Sequence, residues 1–193
     1  MSSMYFFLMT ACQPSFTEAD TSSDDTAIYI DDTGDTQEST DIEIYINEFM
    51  ASNQSYEFDD SRGTKKKDDD TYTPDWIELY NDSSETISLL GYFITDDLEE
   101  PEKHELGDLT LPPGGHVLLF ADGDASLGDD HLGFRLEKDE EEIGLYTPGG
   151  LSIDLISFTD QVADMAAARI PDGGDFSVIS DATPGTANPS QAD

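Results

Sequence analysis

Short apolar segments recur at intervals of about ten residues between positions 42 and 188, with turn residues between them. Eight or nine such segments are present, and the chain shows no sustained helical periodicity between them. This spacing is typical of an antiparallel β-sandwich, with closure into a barrel as the alternative. The 193-residue chain, 36% hydrophobic and 10% aromatic, has enough apolar side chains to bury such a core.

The segment around the only tryptophan, Trp76, is predicted to form a central strand of this core. Strand alternation puts Trp76, Glu78 and Tyr80 on one face and Ile77 and Leu79 on the other. If Glu78 is buried, it needs hydrogen-bond donors, because an unpaired buried carboxylate is costly or becomes protonated. We therefore predict that Glu78 clamps this strand to a loop.

Other segments predict particular strands. Alternation that starts at Ile42 predicts the first strand, and the almost continuous apolar run at residues 116–121 is typical of a strand buried on both faces. Residues 132–136 and 142–146 are predicted to pair, and residues 151–158 supply a further partner strand.

Two stretches allow alternative interpretations. Residues 51–73 are a polar insertion of unusual length, which we expect to be mobile, with a partner-binding loop as the alternative. Residues 162–168 contain three consecutive alanines, which favour a helix but also suit a small-residue strand that passes close to a neighbour.

The chain is strongly acidic, with 44 Asp and Glu against 8 Lys and Arg and a formal net charge of −36. This charge argues against nucleic acid and anionic membrane surfaces as partners. The basic cluster of Arg62 and residues 65–67 is followed at once by three aspartates. Solubility in a salty medium explains such acidity, and we favour it over calcium binding.

The first 12 residues are predicted to be a signal peptide that ends at the only cysteine, Cys12. The apolar run at residues 4–11 is too short to span a bilayer, and residues 8–12 resemble the lipobox of bacterial lipoproteins. That resemblance implies a lipid on Cys12 as the only membrane contact, export, and a place at the outer membrane or cell surface. A disordered terminus with a chance cysteine is the alternative. Residues 13–41 are acidic and rich in Ser and Thr, which predicts a disordered tether.

The acidic loop at residues 122–130 matches the calcium-binding loop of EF-hands only in part. Asp122, Asp124 and Ser126 match the first three ligand positions, but Leu127 and Gly133 stand where a glycine and a bidentate glutamate belong. We expect no cofactor, and an irregular calcium site stays the alternative. Its weak candidate ligands are Asp122, Asp124, Asp129 and Asp130.

The sequence offers no motif for catalysis. His104, His116 and His131 lack metal-ligand spacing and lie near turns or strand ends, where we expect surface histidines. No nucleophile motif and no phosphate-binding glycine loop occurs, so we predict that the protein is not an enzyme.

Seven motifs follow one another between residues 42 and 188: Ile44-Tyr45-Ile46-Asn47-Glu48; Asp75-Trp76-Ile77-Glu78-Leu79-Tyr80-Asn81; Ile87-Ser88-Leu89-Leu90-Gly91-Tyr92 with Thr95-Asp96; Leu111-Pro112-Pro113-Gly114; Asp154-Leu155-Ile156; Arg169-Ile170-Pro171-Asp172-Gly173; and Thr183-Pro184-Gly185 with Asn188. In order and spacing they resemble the lamin tail domain family, in a form typical of bacterial lipoproteins. The chain departs from the family in its insertion at residues 51–73, in Phe176 and in Ala182.

This resemblance implies an immunoglobulin-like β-sandwich over residues 42–188, followed by a tail at residues 189–193. It brings no catalytic residues, and it implies a binding module that contacts an unknown protein or a cell-envelope component. A calcium-dependent binding or hydrolytic domain that uses the acidic loops is the alternative. Structural roles are expected for Glu48, Trp76, Glu78, Asn81, Arg169, Asp172 and Gly173.

Overall fold

A computed structural model describes residues 28–30, 36–38, 43–58 and 72–191 of the chain. The chain divides into two compact units, Met1–Thr40 and Asp41–Asp193. In the first unit, strand β1 (Ile28–Ile30) pairs antiparallel with β2 (Thr36–Glu38). This pair falls within the predicted tether. The rest of the tether and the predicted signal peptide lie outside the described residues.

The second unit contains eleven described strands and one short 3-10 helix at Ala125–Leu127. The strands are β3 (Ile44–Met50), β4 (Asp75–Asn81), β5 (Ile87–Ser88), β6 (Phe93–Thr95), β7 (His104–Glu105), β8 (Thr110–Leu111), β9 (His116–Ala121), β10 (Glu140–Tyr146), β11 (Ser152–Thr159), β12 (Ala166–Ile170) and β13 (Asp175–Ile179). Within these described ranges, no helix is long and apolar enough to cross a membrane.

The strands form two main sheets that pack as a sandwich. One sheet has five strands in the order β13-β12-β3-β4-β9, the other has four in the order β11-β10-β6-β7, and β5 pairs with β8 beside them. Every pairing between these strands is antiparallel. The predicted antiparallel sandwich is confirmed.

The core lies between the two sheets and takes side chains from both. Phe49 of β3 and Phe158 of β11 meet there, with ring centroids 4.7 Å apart. Ile77 and Leu79 of β4 face the same core and are completely buried. Alternating positions supply this core because successive side chains of a strand point to opposite faces of its sheet.

Trp76 lies on the opposite, outer face of the five-stranded sheet, as the alternation predicts. It belongs to a second apolar group, here called the outer cluster, which consists of Met50, Tyr72, Trp76, Phe120 and Ala166. β4 is therefore buried on both faces, between β3 and β9 in the plane of the sheet and between two apolar layers across it.

The first predicted strand contains an irregularity that the alternation does not reveal. The pairing register between β3 and β4 shifts between Ile46 and Glu48, so that Asn47 is an extra residue in β3. Such a bulge re-aims the side chains that follow it. Here it brings Glu48 opposite Glu78 of β4.

The predicted pairing of residues 132–136 with residues 142–146 is wrong. The alternating apolar side chains of residues 132–136 are buried, but this segment follows β9, through a bridge between His131 and Phe120. β11 pairs along the whole of β10, and β6 occupies its other edge at residues 144–146. The alternation of apolar residues thus predicted which side chains of this segment are buried, but not which strand the segment lies beside.

The alanines at residues 166–168 form a strand, which corrects the helical interpretation and agrees with its alternative. Ala167 faces the core, whereas Ala166 and Ala168 are completely buried on the outer face. The continuous apolar run of β9 is buried on both faces only over its second half, since β9 is an edge strand of the five-stranded sheet.

Candidate functional site

A cleft of about 760 Å³ opens where β6 ends and the following loop leaves the four-stranded sheet. The start of β10 and the end of β11 form its floor. Five carboxylates and one lysine lie among its lining residues, which are Asp96, Asp97, Lys103, Glu140, Glu141, Glu142, Ser157, Phe158 and Thr159.

The charges in this cleft are only partly balanced. The Lys103 ammonium pairs with Asp96, and this hydrogen bond raises the pKa of Lys103. Glu141 accepts a hydrogen bond of 2.7 Å from the Glu137 backbone, but burial outweighs that bond and raises the pKa of Glu141 to about 7. The cleft therefore carries a negative potential that favours cations.

The acidic loop at residues 122–130 lies at the end of β9, in the other sheet. Asp122 Oδ2 accepts a 2.8 Å hydrogen bond from the Tyr72 hydroxyl and lies 2.9 Å from Nδ1 of His131. Its other oxygen accepts from the backbone N–H of Asp124 at 3.0 Å. Asp122 thus joins the polar insertion to the loop after β9. The residue that matches the first ligand position of the EF-hand loop therefore has a structural role here.

The remaining weak candidates for calcium are also placed by local packing. Asp129 packs against Gly107, and Asp130 Oδ1 lies 3.9 Å from Nε2 of His131. Across the described part of the chain, no group of three or more His, Cys, Asp or Glu is arranged to hold a metal ion.

The expectation of surface histidines is wrong for His131, which is completely buried. His116 keeps only 8% of its side chain exposed and lies 3.5 Å from Asp172. His104 is half-buried, and burial lowers its pKa. A position near a strand end did not reveal this burial, because loops from other parts of the chain cover the side chains.

Glu48 and Glu78 are both completely buried at paired positions on the outer face of β3 and β4. Glu78 Oε2 accepts a 2.6 Å hydrogen bond from the Gly185 backbone, and Oε1 accepts one of 3.1 Å from Asn47. Glu48 accepts from both the backbone N–H and the hydroxyl of Thr183, at 3.1 and 3.0 Å. Burial raises the pKa of Glu48 to about 7 and that of Glu78 to about 8. The two carboxyls hold residues 183–188, here called the C-terminal segment, across the sheet.

Asp172 and Gly173 belong to the same network, and Asn47 at the bulge links them to it. Asn47 donates to Asp172 at 2.9 Å and accepts from the Gly173 backbone at 3.1 Å. Asn188 also donates its backbone N–H to Asp172. Gly173 has a φ of +70°, and a Cβ there would lie 3.2 Å from the Tyr45 ring, so both conformation and space favour glycine.

Arg169 completes the edge of β3 where β12 separates from it. Its Nε donates to the Ile46 carbonyl at 3.1 Å, while Asp154 accepts the Ile46 N–H at 2.9 Å and two further hydrogen bonds from Arg169. The guanidinium also lies 4.4 Å from the Phe176 ring centroid and 5.4 Å from that of Tyr45. Arg169 and Asp154 therefore replace the missing strand partner of Ile46.

Asn81 and Trp76 hold the two ends of β4. Asn81 donates to the carbonyls of Glu85 and Leu111 at 2.8 and 3.0 Å, and it is completely buried. The Trp76 ring is covered by Phe58, with centroids 6.4 Å apart.

The two ends of the polar insertion are fixed over the outer cluster. Phe58 donates its backbone N–H to the Tyr72 carbonyl at 3.2 Å, and both rings pack on Phe120. The predicted mobility of the insertion stays a prediction for residues 59–71, which lie outside the described residues. The sequence analysis did not predict these contacts. The aromatic residues Phe58 and Tyr72 within an otherwise polar stretch were the signal that could have indicated them. Cys12 also lies outside the described residues.

These features define an immunoglobulin-like β-sandwich whose buried polar residues hold its loops. The sequence model of the Lamin Tail Domain family matches residues 37–160, more than half of the chain, and the protein belongs to this family. The family is an interaction-type fold that is generally non-catalytic. Searches of curated proteins and of solved structures gave no match. The family match ends before β12 and β13, so two strands of the five-stranded sheet lie beyond it.

Proposed function

We propose that this chain is a non-catalytic binding module that a lipid on Cys12 holds at the bacterial outer membrane or cell surface. Its partner is a protein or another component of the cell envelope. The observation that carries this proposal is that the buried polar side chains make hydrogen bonds that hold loops and strand edges in place. Glu48 and Glu78 hold the C-terminal segment, Asp122 holds the insertion, and Arg169 completes a strand edge. These groups serve the scaffold, which leaves recognition to the surface.

The surface charge limits the partner. A net charge of −36 repels nucleic acid and anionic lipid headgroups, and it favours a partner with positive charge. The acidic cleft beside β6 adds to this preference.

The lipid anchor is tested by fractionating cells that produce the full chain or its Cys12→Ala variant. We expect the wild-type protein in the membrane fraction and the variant outside it, because two or more acyl chains give stable anchoring. Ser15→Ala is the control, because it changes a residue close to Cys12 but keeps the cysteine, and this variant should stay in the membrane fraction. Retention of Cys12→Ala in the membrane fraction would refute the anchor.

The binding role is tested by crosslinking the full chain to intact cell envelopes and identifying the captured component. We expect one saturable partner that purified protein competes away. A calcium titration by calorimetry separates the alternative function. A calcium dissociation constant below about 10⁻⁴ M, at the tight end for extracellular sites, would favour the calcium-dependent domain instead.

A further inference from the structure

Strand β13 forms an edge of the five-stranded sheet. It pairs with β12 along one side over its whole length, and in the described part of the chain no strand pairs with its other side. A free edge of this kind presents a row of backbone N–H and C=O groups to any extended chain. Its sequence, Asp-Phe-Ser-Val-Ile, contains no lysine or proline to block such pairing.

A pocket of about 220 Å³ adjoins this edge. Its lining is mainly apolar and consists of Met165, Ile170, Val178, Ile179 and Pro189 together with Ser180, Asp181 and Gln191. Val178 is 62% exposed, so its side chain is accessible to a chain that pairs with this edge. An added strand alternates its side chains, so one of them can enter the pocket while its neighbours point away.

The charges around the edge select the occupant. Asp175, the first residue of β13, and Asp181, two residues after its end, are both exposed. Arg169 of β12 does not offset them, because its guanidinium is paired with Asp154 at 3.0 Å. A second copy of this chain fits poorly. Antiparallel pairing of two β13 edges brings Asp175 of each copy towards Asp181 of the other, and each copy carries a net charge of −36.

We infer that the free edge of β13 binds an extended, positively charged peptide segment, which joins the five-stranded sheet as an additional strand and places one apolar side chain in the adjoining pocket. This inference rests on the proposed function and assigns it a surface and a partner chemistry. Main-chain hydrogen bonds hold the peptide, the pocket selects its apolar residue, and Asp175 and Asp181 select its charge.

The test uses the full chain and a synthetic heptapeptide that alternates lysine with valine, in about 0.15 M NaCl, where charges within roughly 8 Å still interact. We expect saturable binding by calorimetry, with slowed amide exchange confined to β13. Charge alone would draw this peptide to any acidic surface. The control peptide therefore keeps the lysines but carries N-methyl groups on alternate amides, which removes the pairing donors, and it should not bind.

Two protein variants of equal charge complete the test. Val178→Lys places a like charge beside the peptide and should weaken binding about tenfold or more. Leu151→Lys changes a similarly exposed residue, 58% exposed, in the turn before β11, and should leave the affinity within about twofold. Equal binding by the N-methylated peptide, or equal loss in both variants, overturns the inference.

The outcomes also separate this inference from the proposed function. If Val178→Lys captures the envelope partner as well as wild type does, the binding module stands and the β13 site is wrong. If the peptide binds at β13 while the envelope yields no saturable partner, the edge site stands and the proposed function fails.

Discussion

Glu48 and Glu78 occupy directly paired positions of β3 and β4, and each carboxyl holds a different residue of the C-terminal segment. Both are completely buried on the outer face of the sheet. Burial deprives both carboxyls of hydration, and the neighbouring Glu48 adds a smaller repulsion at Glu78, so the protonated form of each is favoured. Asp172 raises the pKa of both carboxyls further. The segment that closes this face is thus attached through groups that titrate near neutral pH.

The free energy of unfolding should fall as the pH rises through the neutral range. The pKa of Glu48 is raised from 4.5 to about 7 and that of Glu78 to about 8, and their contribution to stability is complete below pH 4.5. It is lost as the pH rises through these folded-state values. Urea denaturation at a series of pH values between about 6 and 9 measures the slope. Glu141 contributes in the same direction, because burial raises its pKa to about 7.

The double variant Glu48→Gln/Glu78→Gln should reduce this slope, since neither amide titrates. Glu43→Gln, which changes an exposed glutamate next to β3, is the control and should keep the wild-type slope. A double variant that retained the full slope would assign the pH dependence to other groups.

The single change Glu78→Gln should destabilise the fold at pH 6 by about 1–2 kcal/mol. At pH 6, below its pKa of about 8, Glu78 is mostly protonated, and its hydroxyl oxygen can still accept a hydrogen bond. The amide nitrogen of Gln only donates, and it would face either the Gly185 N–H or the Asn47 amide, whose contacts measure 2.6 and 3.1 Å. Thermal and urea denaturation measure the loss, and amide exchange at Gly185 should accelerate. Unchanged stability would mean that Glu78 is not a clamp between strand and loop.

Arg169→Lys should cost about 2–3 kcal/mol of stability, although it keeps the charge. The guanidinium donates to the Ile46 carbonyl and to both oxygens of Asp154, and an ammonium cannot reproduce this planar geometry. The matched control is the exposed pair of Lys138 and Asp139, 3.3 Å apart. Lys138→Ala should change stability by less than about 0.5 kcal/mol. Equal effects of the two substitutions would argue against a special role for Arg169.

Phe58→Ala should expose Trp76, because the Phe58 ring covers it from the polar insertion. Trp76 is the only tryptophan, so its fluorescence reports directly on this cover. We expect red-shifted emission and stronger acrylamide quenching, with a stability loss of about 1–2 kcal/mol. Leu90→Ala, at a residue 59% exposed, serves as the control. Unchanged quenching in Phe58→Ala would show that Phe58 does not shield the indole.

Several structural features were predictable because they depend on local pattern. The alternation around Trp76 predicted the opposite faces of Trp76 and Leu79, and the structure places them in the outer cluster and the core. The predicted segments at residues 116–121, 142–146 and 151–158 lie on β9, β10 and β11. The need of a buried Glu78 for donors also followed from sequence and physical chemistry.

The pairing partners were harder to predict, because a strand's periodicity specifies its buried face and leaves its neighbour open. Residues 132–136 show the expected alternation yet follow β9. The burial of His131 was also missed, since the covering Tyr72 lies 59 residues away in the sequence.

The sequence by itself determined the class of fold, the strongly acidic surface and the residues that carry the family's motifs, because each is a property of composition or short-range order. Only the tertiary structure decided what those residues do. The bulge at Asn47, a shift of one position between two strands, sets Glu48 opposite Glu78 and directs both carboxyls to the C-terminal segment. These contacts join residues more than one hundred positions apart in the sequence, because the C-terminal segment packs across the sheet, and no local pattern encodes that packing.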